Sequence, residues 1–369
     1  MKLIKKSLLW RDLGRKMKIL VIQQKMIGDV LTSSILFEAL RKEYPNAQLH
    51  YLVYAHTTPV LEHNPFIDQI LHFDDTTKKA FQFAAFLKQV KKERYDAVID
   101  VYGKLGSAIT SKYSKANIRI SFDKWYTKPF HTHYFSRNIT AQTNAGPAIE
   151  KRLRLLNPIL KHIPKEIKPK IYLTVKERSN AKEKLASAGI VEDKLLVMIS
   201  VLGSTDSKTY PFKYLAQILD LIAAKKEVQL LFNYIPNQKE DALKIYNLCN
   251  THTQNSIFLD VFGSDLREFL ALTSHCDALI GNEGGAINMG KALDIPTFSI
   301  FSPGVPKGNW SIYENGRTNV SVHLKDYKPE LFDKNSKKEV KKRSKEFYDL
   351  FQLSYFDEKL LSFINTISK

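Results

Sequence analysis

Two successive runs of alternating strand-like and helix-like segments constrain this 369-residue chain more than any other feature. The apolar, strand-like stretches are 17–24, 48–54, 67–73, 95–101, 117–120, 194–200, 228–233, 256–260, 277–280 and 297–301. Strands that alternate with helices indicate parallel sheets joined by right-handed crossovers. Because a single core rarely accommodates so many residues, the sequence predicts an α/β protein built from two doubly wound, Rossmann-like domains.

The predicted domain boundaries follow from where this alternation stops and restarts. A basic extension occupies residues 1–16, the first domain runs over 17–165, and the second over 166–369. Residues 158–169 are rich in Pro and Lys and are interpreted as the linker. Two further helices are expected near 339–351 and 356–367, and they are candidates to pack back on the first domain.

The formal net charge of +18 is unusual and favours an anionic partner. Without a zinc-finger, RNP-type or basic-zipper pattern, nucleic acid is not the expected partner. The basic extension fits either a surface helix on an anionic membrane or a disordered leader, with Met17 as an alternative first residue. No run is long enough to span a bilayer, and only Cys249 and Cys276 are present, so a reducing cytoplasm is the expected location.

The stretch 281–296 reads as the end of a buried strand, a glycine-bearing turn and a helix. In an open α/β sheet, ligands bind at the carboxyl ends of the strands, and a helix start offers N–H groups to a phosphate. Gly284 and Gly285 lack the Cβ atoms that would keep a ligand away from the backbone. The alternative is a tight turn with Glu283 at a helix N-terminus, where acidic residues are favoured in any case.

Three polar turns are expected at strand ends, and a cleft between the domains would bring them together: Gly28-Asp29, 203–208 and 282–288. Lys208, with Ser204 and Thr205, supplies a cation and hydroxyl groups suited to a diphosphate; the alternative is a solvated surface lysine beside ordinary turn or capping residues. Asp29 is a candidate general base or an ordinary helix N-cap. Lys104 is a candidate contact for an anionic substrate or a solvated lysine.

Several kinds of site are not supported by the sequence. The first strand-to-helix turn has no GxGxxG pattern, so no dinucleotide cofactor is expected. No DxD spacing is present to hold a metal on a diphosphate. His131 and His133 have metal-ligand spacing but no third ligand, so no metal site is predicted there.

Three segments resemble one known family. Residues 17–31, with Ile27-Gly-Asp-Val-Leu31, residues 99–120 and the block 277–303 are similar to the bacterial ADP-heptose:lipopolysaccharide heptosyltransferases of glycosyltransferase family 9. The resemblance implies a GT-B fold, in which an N-terminal acceptor-side domain and a C-terminal donor-binding domain face each other across a cleft. It also implies inverting, metal-independent transfer from a nucleotide diphosphate sugar.

The resemblance carries over residue by residue. Asp29 matches the catalytic aspartate and Lys208 the diphosphate-binding lysine, while Gly28 and Lys104 are expected on the acceptor side. The expected donor-binding residues are Ser204, Thr205, Lys208, Asn282, Glu283, Gly284, Gly285, Ala286 and Asn288. Three positions depart from the family pattern: Glu283 replaces an aspartate, Gly284 a hydroxyl residue and Asn288 a histidine, and these changes alter the donor pocket.

The sequence thus predicts transfer of a heptose or similar sugar, with ADP-heptose as the expected donor, to an anionic, lipid-linked acceptor of the lipopolysaccharide core type. Peripheral contact with the inner face of the cytoplasmic membrane is expected, and no cofactor is required. One alternative is a non-catalytic glycan- or lipid-binding protein that kept the fold. A second is a GT-B epimerase or phosphorylase acting on sugar phosphates.

Overall fold

A computed structural model describes residues 16–367. The predicted basic extension therefore lies outside the described residues except for Lys16. The chain divides between Pro169 and Lys170 into two compact units, here called the N-unit and the C-unit.

The N-unit is built on a six-stranded parallel sheet with the order β3-β2-β1-β4-β5-β6. Its strands are β1 (Lys18–Ile22), β2 (Gln48–Val53), β3 (Gln69–His72), β4 (Ala97–Asp100), β5 (Ile118–Phe122) and β6 (His133–Phe135). Its helices are α1 (Ile27–Ser33), α2 (Ile35–Glu43), α3 (Ala80–Lys92), α4 (Leu105–Tyr113) and α5 (Pro147–Arg154).

The central strands of this sheet are mostly apolar because helices cover both faces. Four residues of β1, from Ile19 to Ile22, are fully buried, and Leu20 and Ile22 pack with Leu52 and Val98 in one core cluster. The mostly apolar pattern that predicts a parallel strand therefore follows from burial on both faces of the sheet.

The C-unit repeats this topology. Its six parallel strands have the order β12-β11-β10-β7-β8-β9. They are β7 (Leu195–Ser200), β8 (Val228–Asn233), β9 (Ile257–Phe258), β10 (Ala278–Asn282), β11 (Thr297–Ile300) and β12 (Asn319–Val322). The helices are α6 (Val175–Ser187), α7 (Phe212–Lys225), α8 (Lys239–Leu248), α9 (Thr251–Gln254), α10 (Leu266–Thr273), α11 (Gly285–Ala292), α12 (Lys307–Trp310), α13 (Glu330–Asp333), α14 (Lys337–Lys342), α15 (Ser344–Asp349) and α16 (Asp357–Thr366).

The last helix contributes to the core of the C-unit. The ring of Phe363 on α16 lies 5.6 Å from that of Phe298 on β11, and Leu360 and Ile364 are fully buried in the same cluster. Phe356, just before the helix, packs 5.1 Å from Phe351.

These observations confirm the predicted α/β class with doubly wound parallel sheets. Two local expectations differ from the structure. The single helix expected near 339–351 is interrupted at Arg343, whose φ of −101° and ψ of 20° separate α14 from α15. No strand is expected at 133–135 or at 319–322, where the structure has the edge strands β6 and β12. Within residues 16–367, no helix has both the length and the apolar character needed to cross a bilayer.

Candidate functional site

The strand order reverses at one point in each sheet, between β1 and β4 in the N-unit and between β7 and β10 in the C-unit. Crossovers leave such a point in opposite directions, which opens a crevice at the carboxyl ends of the two strands. The turns that contain Asp29 and Lys104 follow β1 and β4, and the turns 203–208 and 282–288 follow β7 and β10. The predicted site residues therefore flank the two switch points.

The turn after β7 is held in a closed loop by its own polar groups. Thr209 Oγ1 accepts a hydrogen bond from Gly203 N (3.0 Å) and donates one to the Thr205 carbonyl (3.0 Å). A Cβ at Gly203 would lie 2.3 Å from the Lys208 carbonyl oxygen, so only glycine permits this closure. Ser204 and Thr205 are exposed at the tip of the loop, and Lys208 is half-buried at its end.

The turn after β10 leads directly into α11. Gly284 has φ of 150°, a conformation that side chains disfavour, and a Cβ built there meets nothing within 4 Å. Open space thus lies against the backbone at the point where Gly285 begins the helix. The N–H groups of Gly285 and Ala286 belong to the first turn, where no intrahelical acceptor exists and where the helix dipole favours an anion.

Lys208 and Glu283 bring these two turns together. Lys208 Nζ lies 3.4 Å from Glu283 Oε1, and the carboxylate side chain is only 8% exposed. That buried oxygen receives no well-aligned hydrogen bond from the described residues. Burial raises the pKa of Glu283, and the charge of Lys208 opposes this effect. A buried carboxylate oxygen without a hydrogen bond is costly, so the pair is well suited to an incoming hydroxyl donor.

Two other predicted donor-binding residues, Asn282 and Asn288, differ in their burial. Asn282 is buried; its Oδ1 accepts from Tyr210 N (2.6 Å), and its Nδ2 donates to the carbonyls of Ser200 and Val201 (both 2.9 Å). This amide therefore fixes the turn after β10 against the loop after β7. Asn288 is half-buried within α11.

In the N-unit, Asp29 lies in the first turn of α1 and is bound by a buried arginine. Arg152 Nη2 donates to Asp29 Oδ1 (2.5 Å), Nε to Ser33 Oγ (2.9 Å), and Nη1 to the Ala148 carbonyl (2.6 Å). The Asp29 side chain remains 27% exposed, whereas that of Arg152 is 3% exposed. One Asp29 oxygen is thereby fixed while the carboxylate keeps access to solvent.

The charge around Asp29 is also sensitive to pH. Burial, followed by the neighbouring Arg152, lowers the pKa of Lys151 to about 8. Since a lysine loses its charge above its pKa, the cationic charge beside Asp29 falls as the pH rises through this value.

The second turn of the N-unit switch point carries Lys104, which is exposed at the N-cap of α4. Beneath it, Asp100 accepts hydrogen bonds from Gly103 N (2.8 Å) and Ser107 Oγ (3.0 Å). His131 Nε2 lies 3.2 Å from the same carboxylate, so this histidine supports the turn.

Sequence reasoning missed Arg152. The sequence feature that marks it is an arginine on the apolar face of an amphipathic helix. Arg152 comes four residues after Ala148 and three before Leu155, and both of these are fully buried. A charge at such a position needs a partner, because an unpaired buried charge is strongly disfavoured. That partner, Asp29, is 123 residues away in sequence, so the pattern alone does not reveal it.

Comparison with known proteins gives a consistent result. The model of the family described as glycosyltransferase family 9 (heptosyltransferase) matches residues 83–341. The chain is similar to lipopolysaccharide heptosyltransferase 1 of Campylobacter coli, with 25% identity over 77% of this chain and 84% of the relative.

Solved structures support the same fold. A glycosyl transferase family 9 structure from Veillonella parvula superposes with a TM-score of 0.70 at 18% identity, over 90% of this chain and 97% of that one. E. coli heptosyltransferase WaaC with ADP-2-deoxy-2-fluoro heptose has a TM-score of 0.60 at 14% identity, over 83% and 93% of the two chains. The expected GT-B fold class is confirmed.

Proposed function

The chain belongs to glycosyltransferase family 9, and on that basis we propose that it transfers a heptose, or a similar sugar, from a nucleotide diphosphate sugar to a lipopolysaccharide core-type acceptor. ADP-heptose is the proposed donor, and the transfer inverts the anomeric configuration without a metal. The proposed place of action is the inner face of the cytoplasmic membrane, which carries the acceptor.

The observation that carries this proposal is the arrangement of the C-unit switch point. A lysine, a buried carboxylate and an open helix start lie on two adjacent turns, with Lys208 Nζ 3.4 Å from Glu283 Oε1. We assign the diphosphate to Lys208 and the N–H groups at the start of α11, because both attract an anion. We assign a sugar hydroxyl to Glu283, because a carboxylate accepts hydrogen bonds from hydroxyl groups.

In the proposed reaction, Asp29 removes the proton from the acceptor hydroxyl. The acceptor oxygen then attacks the anomeric carbon, and the bond from this carbon to the diphosphate oxygen breaks. The electron pair leaves with the nucleoside diphosphate, whose charge Lys208 and the N–H groups of Gly285 and Ala286 stabilise. Gly28 and Lys104 are assigned to the acceptor, while Ser204, Thr205 and Asn288 line the donor site. Asn282 holds its turn in place.

A panel of nucleotide sugars tests the donor assignment through thermal stabilisation. A ligand at a hundred times its Kd adds about 2.7 kcal/mol to the free energy of unfolding, and ADP-heptose is expected to give the largest shift. Lys208→Ala should weaken binding by about ten- to a hundredfold, as expected for the loss of a charged hydrogen bond of about 1.5–3 kcal/mol.

The matched control is Lys225→Ala, which removes an exposed lysine at the end of α7, on the opposite edge of the sheet. It should bind like the wild type. The proposal is contradicted if no nucleotide sugar stabilises the chain, or if Lys208→Ala leaves the affinity unchanged in calorimetry. Binding without transfer to any acceptor would favour the non-catalytic alternative.

A further inference from the structure

The carboxyl edge of the N-unit sheet carries an unusual set of exposed apolar side chains. Seven large hydrophobic residues of the described N-unit are exposed, and five of them follow strand ends at this edge: Met26 (62%), Phe81 (83%), Leu105 (53%), Trp125 (87%) and Tyr126 (37%). Isolated exposed apolar residues are ordinary, but concentration at one edge marks an interaction surface. These five residues are called the apolar rim.

The residues of the rim form a band along one edge of the sheet, because they lie on loops that follow neighbouring strands. The loops follow β3, β1, β4 and β5, and only β2 intervenes in the sheet order. Adjacent strands are about 4.8 Å apart, so the band extends over roughly 20 Å. The loop after β2 joins its neighbours through Tyr54, whose ring centroid lies 4.8 Å from Lys25 Nζ and 5.5 Å from Lys78 Nζ.

Basic side chains are interleaved with the rim. Those on the same loops are Lys25, Lys78, Lys79, Lys104, Lys124 and Lys128, with Arg137 just after β6, against the acidic residues Asp74, Asp75 and Asp123, with Asp29 in α1. The excess of cations gives the edge a positive charge. Lysine stems beside exposed aromatic and aliphatic side chains are typical of a surface that meets lipid headgroups and the outer part of the acyl chains.

The loops that carry the rim are fixed in position. Lys124 Nζ donates to the Gly103 carbonyl (2.6 Å), which joins the loop after β5 to the loop after β4. Lys128 Nζ lies 4.1 Å from the ring centroid of Tyr134. Trp125 and Tyr126 form an edge-to-face pair with centroids 5.7 Å apart. Trp125 is thus displayed to solvent by an ordered loop.

We propose that the apolar rim docks this protein on an anionic phospholipid bilayer. Apolar side chains enter the interface while the surrounding lysines contact the phosphate groups. The inference rests on the proposed function only in that the acceptor is membrane-borne, because docking itself requires neither donor nor transfer. It places the membrane contact on the same sheet edge as Asp29, rather than on the basic extension.

The native tryptophans allow a direct test. The chain has Trp10, Trp125 and Trp310, so the double substitution Trp10→Phe/Trp310→Phe leaves Trp125 as the only reporter in the full-length protein. We expect its emission to shift to the blue with vesicles of equal parts phosphatidylglycerol and phosphatidylethanolamine. Phosphatidylcholine vesicles and added salt should weaken the shift, because anionic headgroups attract the lysines.

A matched pair of variants measures the contribution of the rim. Phe81→Ser should lower vesicle affinity by about tenfold or more, the order expected when one large apolar side chain no longer enters the bilayer. Val175→Ser removes a similarly exposed side chain (86%) from the C-unit and should bind like the wild type. Circular dichroism checks that both variants fold.

Two outcomes would overturn the proposal. Vesicle binding without a Trp125 shift would place the contact elsewhere on the chain. A rim buried instead in a second copy would appear as an oligomer in sedimentation that Phe81→Ser dissociates, with no binding to vesicles. Transfer to a lipid-free acceptor is measured in the same preparations. If the wild type does not transfer sugar to that acceptor, the proposed function is contradicted. If Phe81→Ser keeps this transfer but binds vesicles weakly, docking by the rim is supported.

Discussion

At the scale of single residues, Arg152 holds the proposed base in place. Its guanidinium makes three hydrogen bonds in fixed directions, to Asp29, Ser33 and Ala148. A lysine has one cationic nitrogen and cannot reproduce this planar arrangement. Arg152 is therefore a positioning residue for Asp29.

We predict that Arg152→Met lowers the rate constant of transfer by about tenfold to a hundredfold, the range expected when a reacting group is displaced by about 1 Å. The affinity for ADP should be unchanged, because the donor is assigned to the C-unit. Arg152→Lys should recover only part of the rate. Steady-state kinetics with calorimetry separates the two quantities.

Arg154→Met is the matched control, since Arg154 is an exposed arginine on the same helix. It should retain wild-type kinetics. Equal loss of ADP affinity and rate in Arg152→Met would show instead that Arg152 supports the structure as a whole.

Glu283 is the second residue with a measurable consequence. Its pKa is raised because burial disfavours the carboxylate. A carboxyl group whose folded pKa is raised contributes stability below its unfolded pKa, and this contribution is lost as the pH rises through the folded pKa. The ionised form also repels a diphosphate, so ADP affinity should fall over the same interval above about pH 4.5.

Glu283→Gln should remove this pH dependence and raise ADP affinity at neutral pH, while it weakens binding of the intact nucleotide sugar, whose hydroxyl loses a carboxylate partner. Calorimetry over a pH series measures the affinity for ADP and for the nucleotide sugar. The ratio of the ADP affinity of the variant to that of the wild type cancels the effect of the titration of ADP itself. Glu227→Gln, at an exposed glutamate of the C-unit, is the control. A constant ratio across pH would contradict the electrostatic role of Glu283.

At the scale of elements, the strands were the most predictable part of the sequence. The predicted strand 228–233 has the same bounds as β8 (Val228–Asn233), whose five buried residues are apolar except for Gln229, as expected for a strand that helices cover on both faces. The helix that joins the predicted strands 194–200 and 228–233 is α7 (Phe212–Lys225). The local sequence pattern is sufficient to predict an element where burial of both faces of a strand, or of one face of a helix, determines which residues are apolar.

The elements that were not predicted depend on contacts distant in sequence. The edge strands β6 (His133–Phe135) and β12 (Asn319–Val322) each pair with one neighbour, and three or four residues are too few for a strand pattern to stand out in the sequence. The break between α14 and α15 at Arg343 has neither proline nor glycine to mark it. Glycines and polar residues in the sequence indicate where the turns of the candidate site lie, but they do not predict the hydrogen bonds inside those turns.

At the scale of the whole molecule, the same sheet order occurs in both units. Counting strands from the start of each unit, both follow the order 3-2-1-4-5-6. The sequence predicted two doubly wound units from the repeated alternation, yet alternation alone does not fix the order of strands. That order matters for function, because it creates the switch points beside which Asp29 and Lys208 lie.

The most direct test of the central claim is the rate at which Asp29→Asn transfers sugar from ADP-heptose to a lipopolysaccharide core-type acceptor. The exchange removes the carboxylate base and keeps the size of the side chain. We expect ADP binding to be retained and transfer to fall by about a hundredfold or more, as for loss of a general base. Near-wild-type turnover by Asp29→Asn would contradict the account.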